Sequence, residues 1–183
     1  MFPVVRSAKL ARVQLVTRMG VAMAGAYLVR PLARDQIPQA FPLVSMFDAA
    51  LTMERWLGYA SALTEASDDP AGHKILSVQS GQGHIYGISA YWLKPDLRRD
   101  RILEVENFAV VDVTGTRRAA RVLLDGLEDI ARRQDCSCMV ISLLNPMMRR
   151  YLRDQREATA DLFKATGFRG DHMRLRKCFE NGV

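Results

Sequence analysis

The chain has 183 residues, 49% of them apolar and 25% charged, with a formal net charge of +6; that length suits one domain around a single core. The charge is uneven: Arg6, Lys9, Arg12, Arg18, Arg30 and Arg34 precede the first acid, Asp35, and the remainder balances 20 basic against 20 acidic residues. A basic nucleic-acid-binding surface on the folded part is therefore not expected.

Residues 1–26 are acid-free, with Val4, Val5, Leu10, Val13, Leu15 and Val16 among the charges. Two readings stand: an amphipathic membrane-surface or transit-like helix, or an extension with little packing, Met19 or Met23 being alternative starts. The uncharged run Met19 to Val29 is too short to span a bilayer, and the expectation is a cytoplasmic protein with an extension over 1–26 and a domain over 27–183. Tyr27 to Leu32 reads as a first strand that Pro31 places at an edge or ends. Arg34 to Met46 has helical spacing interrupted by Pro38 and Pro42, so at least one break or short-helix junction is expected. Asp48 is a natural N-cap for a second helix, Ala49 to Ala62, and Ser67 to Gly72 is a loop. Ile75 to Gln79 and His84 to Leu93 read as strands joined by Ser80-Gly81-Gln82-Gly83, a hairpin connection.

After a turn over Lys94 to Asp100, Ile102 to Val111 is a buried strand with Glu104 and Glu106 on one face and the apolar run Phe108, Ala109, Val110, Val111 at its end. A short turn, Asp112 to Thr116, feeds a helix from Arg117 whose apolar stripe is Ala120, Leu123, Leu124, Leu127 and Ala131. Strand, turn and helix in this order aim backbone N–H groups at an anion. Ser137 to Leu144 is a second apolar strand ending at Asn145. Cys136 and Cys138 at its start are expected to share a face and, with Cys178, to be core or edge thiols; no second Cys or His pair accompanies them, and His73, His84 and His172 share no ligand spacing, so no metal is expected. Met147 to Glu157 carries Arg149, Arg150, Arg153 and Arg156, read as a solvated face or, alternatively, as contacts to an adenosine phosphate. Ala158 to Phe168 is a helix ending in Thr166-Gly167-Phe168, and Met173 to Phe179 is the last strand.

Strand, anion turn, helix, strand, Asn, helix and Gly-Phe, in that order, resembles the GNAT acyltransferase superfamily over Tyr27 to Phe179. The resemblance implies a single-domain α/β fold, a mixed, mostly antiparallel twisted sheet flanked by helices. It also implies an N-acetyltransferase that moves an acetyl group from acetyl-coenzyme A to a primary amine of a small molecule or protein. The family's phosphate turn, Q/R-x-x-G-x-G/A, aligns with Gly115-Thr116-Arg117-Arg118-Ala119-Ala120; Ala120 keeps the pattern, while Gly115 and Arg118 depart from it. By that alignment Thr116, Arg117, Arg118, Ala119, Ala120 and Arg121 cradle the coenzyme phosphates, main-chain groups of Phe108, Ala109, Val110 and Val111 hold the pantetheine arm and the oxyanion, and Asn145 bonds the arm.

Glu104, and second Glu106, fall where family members carry a general base. Phe163 stands where many carry a tyrosine that protonates the leaving thiolate; it can pack against the coenzyme but has no proton to give, which leaves Tyr151, Cys138 or water. Phe47 and Trp56 border the acceptor pocket by the same analogy. The alternative is a degenerate module of this fold for coenzyme sensing or partner binding, docked through its basic N-terminus. A homodimer and a membrane contact through 1–26 are further partner expectations.

Overall fold

The computed structural model describes residues 27–65, 74–111, 117–142, 156–170 and 174–179. In chain order these form β1 (Leu28–Pro31), a 3-10 turn (Arg34–Gln36), α1 (Ile37–Phe47), α2 (Met53–Glu65), β2 (Lys74–Gln79), β3 (Ile85–Asp96), β4 (Asp100–Val110), α3 (Arg118–Arg133), β5 (Cys138–Ser142), α4 (Arg156–Ala165), β6 (Arg169–Gly170) and β7 (Arg174–Cys178). The strands make one sheet in the order β1-β2-β3-β4-β5-β7-β6. Every pairing is antiparallel except β4 with β5. A parallel pair needs a crossover, and α3 supplies it.

The helices divide between the two faces. Leu123, Leu124 and Leu127 of α3, with Leu162 and Phe163 of α4, pack on Leu76, Val78, Leu103, Val105, Phe108 and Ile141. On the other face Ile37, Ala40 and Val44 of α1 and Trp56 and Ala60 of α2 cover Ile75, Ile88, Ala90 and Ala109. Trp56 Nε1 donates to Ile37 O at 2.7 Å, which satisfies a buried polar atom and joins the two helices. Ile102, Cys138 and Val140 form a third, small cluster.

Several expectations about elements are corrected. α1 runs unbroken through Pro42: Pro38 lies in its first turn, where no intrahelical donor is lost, and both prolines are exposed, so water can reach the carbonyl that Pro42 leaves without a partner. The second helix starts at Met53, because Asp48 Oδ1 accepts from Ala50 N (3.0 Å) in a local turn, while Thr52 Oγ1 accepts from Arg55 N (3.3 Å) and caps the helix. The expected last strand is present as β7, and a two-residue strand that was not expected, β6, pairs with it. Asp135 adopts a left-handed backbone and β5 starts only at Cys138, so Cys136 and Cys138 fall in different clusters and not on one face. The thiol expectation is corrected too: Cys138 and Cys178, register partners on β5 and β7, form a disulfide. Cys136 remains a buried free cysteine. No helix among the described residues is long and apolar enough to cross a membrane.

Candidate active site

The site grows from an irregularity in β4. Ala90 pairs with Glu106 and Ile88 with Ala109, so Asn107 and Phe108 together oppose Ser89. This is a bulge, and Asn107 takes the left-handed conformation it requires (φ 51°); asparagine is among the few non-glycine residues that adopt it at little cost. The bulge resets the alternation of the strand. Leu103 and Val105 before it, and Phe108 and Val110 after it, all face the α3 side, while Ala109 turns to α1 and α2. The register with β5 covers Ile102 to Val105, whereas that with β3 continues to Val110.

Around the bulge, Asn107 Nδ2 donates to the hydroxyl of Tyr59 on α2 at 2.8 Å. Burial, opposed by this bond and reinforced by the charge of Glu106, pushes the Tyr59 phenol up to about 12. The hydroxyl therefore keeps its proton at neutral pH and can donate it to a hydrogen bond. Glu106 is half-buried one residue before the bulge. Glu104, two residues further back, is buried and meets Lys94 Nζ at 3.1 Å and Arg174 Nη2 at 3.9 Å. The structure thus separates the two carboxylates by partner: Glu104 joins β3 and β7 electrostatically, and Glu106 stands beside Tyr59 and Asn107. Lys94, Arg174, Tyr59 and Asn107 were missed in the sequence. The one local signal was Asn107, a poor strand residue but a good bulge residue.

β4 leads through Phe108, Ala109 and Val110, all buried, to the half-buried Val111. Val111 N–H donates to Tyr86 O at 2.8 Å, which removes it from the expected main-chain donors. The turn containing Thr116 lies outside the described residues, as do Asn145 and Tyr151. Arg117 has a left-handed backbone (φ 55°) at the cap of α3, and the first turn of this helix contains no acid. Arg118 and Arg121 are exposed while Ala119 and Ala120 are buried, so the two alanines seat the helix and the arginines flank its positive end. Phe163 is 1% exposed, with edge-on contacts to Phe108 (5.8 Å) and Phe168 (5.5 Å). It is a core ring joining α4 to β4. Trp56 is likewise a buried core residue, and Phe47 is half-buried between the two main clusters.

No protein-family model and no curated protein matches this sequence. Solved structures do resemble it. An acetyltransferase from Trypanosoma brucei superposes with a TM-score of 0.58 at 17% identity, over 80% of this chain and 94% of its own. A GNAT-family acetyltransferase from Staphylococcus aureus gives 0.57 at 10% identity, over 84% and 99%. A chain of the NatC complex bound to Gag peptide and CoA gives 0.56 at 14% identity, over 84% and 98%. Identities this low show a shared fold, not a shared reaction.

Proposed function

We propose that this chain, which has the fold of the GNAT acetyltransferases, binds acetyl-coenzyme A and transfers the acetyl group to a primary amine. The observation that carries the reading is the β4 bulge, which sets Glu106 and the Tyr59 hydroxyl beside the strand that leads to the basic N-terminus of α3. The helix amides, with Arg117, Arg118 and Arg121, suit the coenzyme phosphates. The NatC complex, one chain of which shares this fold, was solved with CoA bound, which supports the reading.

In this reading Glu106 takes a proton from the attacking amine, whose lone pair adds to the thioester carbonyl carbon. Main-chain N–H groups near Phe108 to Val110, with the Tyr59 hydroxyl, stabilise the oxyanion. The C–S bond then breaks, the proton ends on sulfur, and the products are an amide and free coenzyme A. Glu106 is preferred to Glu104 because it stands beside the bulge and the Tyr59 hydroxyl. We propose the cytoplasm as the compartment of the reaction, the expectation drawn from the sequence.

A second reading, coenzyme sensing or partner binding without catalysis, draws on Phe163, which offers no proton where many relatives have a tyrosine. Calorimetric titration with acetyl-coenzyme A, followed by a thiol-release assay over an amine panel, separates the two. The first reading expects micromolar binding and turnover that falls about a hundredfold or more in Glu106→Gln, with binding unchanged. Binding without turnover of any amine would favour the second.

A further inference from the structure

A cavity of about 670 Å³ opens at the β6–β7 end of the sheet, lined among others by Arg169, Arg174, Arg176, Gly170 and Cys178. Its size is that of a small-molecule site. Arg169 and Arg176 are direct cross-strand partners, and Arg174 lies two residues before Arg176 on the same face of β7. Like charges placed opposite each other destabilise a strand pair unless an anion lies between them. No carboxylate is among the described residues lining the cavity. Gly170 keeps the hairpin closed: a Cβ there would clash with Arg174 O, so the strands approach as only glycine permits.

The sheet register ties this cavity to the candidate active site. Glu104 pairs with Val140, Val140 with Arg176, and Arg176 with Arg169, which makes one row across four strands. Two interstrand spacings place the Arg176 backbone about 10 Å from that of Glu104. Arg174, 3.9 Å from Glu104, carries the positive lining up to β4 itself.

From this geometry we infer that the cavity binds an acidic group of the acceptor, a phosphate or a carboxylate, held by Arg169 and Arg176. The acceptor is then a small amino acid-like or amino phosphate-like molecule whose amine and acid lie about 12 Å apart, the row spacing combined with the two-residue rise along β4 from Glu104 to Glu106. The inference rests on the acetyl-transfer reading for the identity of the ligand, and on the arginines alone for its charge.

The test has two arms. In the first, inorganic phosphate and succinate are titrated into the full chain and into Arg169→Gln, Arg176→Gln and the control Arg30→Gln on β1, at the opposite edge of the sheet. All three residues are exposed, so these variants keep the fold. Saturable binding of at least one anion, weakened about tenfold or more in the first two variants and unchanged in the control, is expected, because charge-assisted bonds are lost. In the second arm, aminoalkyl phosphates, amino acids of increasing chain length and the matching uncharged amines are compared in the thiol-release assay. The acidic amines should show the higher kcat/KM, with an optimum among the longer chains, and Arg176→Gln should erase the preference through KM. Absence of anion binding, or binding that neither arginine substitution changes, overturns the inference. Acetylation with no preference for acidic amines also overturns it while leaving the transfer reading intact. Anion binding lost in the arginine variants, but with no amine acetylated and no acetyl-coenzyme A bound, keeps the anion site and overturns the transfer reading.

Discussion

At the scale of single residues, Tyr59 makes a consequence measurable without knowing the substrate. Its folded pKa, raised by burial above the ordinary 10.0 to about 12, means the folded chain holds a proton that the unfolded chain releases. The unfolded state therefore binds fewer protons between those two values, and stability falls as pH rises through them while staying whole below 10. Tyr91, also raised by burial, acts in the same direction. Urea unfolding midpoints at about pH 9 and pH 11 should differ more in the native chain than in Tyr59→Phe. Equal differences would mean that the phenol is not withdrawn from water in the folded chain. The same substitution should lower kcat and leave the acceptor KM little changed if the hydroxyl faces the reacting carbonyl.

At the scale of elements, α3 depends on one absent side chain. A Cβ on Gly126 would sit 2.7 Å from Val29 Cγ1, so the helix lies against β1 at a distance only glycine allows. Gly126→Val should cost about 1–3 kcal/mol by overpacking and lower the thermal midpoint. Val29→Ala in the same chain should recover part of the loss, since neighbouring sites couple; no recovery would place the strain elsewhere. The stripe of α3 was legible in sequence because Ala120, Leu123, Leu124, Leu127 and Ala131 repeat at the helical period, and all are buried. The start of α2 was misread because Asp48 and Thr52 are both good caps, and only the chain path decides between them. The two residues of β6 show no periodicity, and the bulge at Asn107 exists only relative to Ser89 on the neighbouring strand. The candidate site was legible by half for the same reason. Two carboxylates on one face of β4 follow from alternation, but Lys94, Arg174 and Tyr59, which distinguish them, arrive from three other elements.

At the scale of the whole molecule, the Cys138–Cys178 bridge closes a loop with a sequence separation of 40 between β5 and β7. Arg99, in the turn between β3 and β4, donates to both sulfurs at 3.0 Å, so three segments meet there. Loop-closure entropy puts the stabilisation at about 4 kcal/mol for a loop of that size. Reducing compartments disfavour such bonds, so the bridge and the cytoplasmic proposal make opposing demands that chemistry can decide. Alkylation of the denatured chain without reductant should block one thiol, Cys136, and after reduction all three. Alkylation of the native chain should leave Cys136 untouched, because its burial raises the thiol pKa. Cys178 also lines the arginine cavity, so Cys178→Ser should lower the thermal midpoint and weaken phosphate binding together, by freeing the strand that carries Arg174 and Arg176. A loss of stability with unchanged phosphate binding would mean that the hairpin holds its arginines without the bridge. All three thiols blocked before reduction would mean that the strands are joined by their backbone ladder alone.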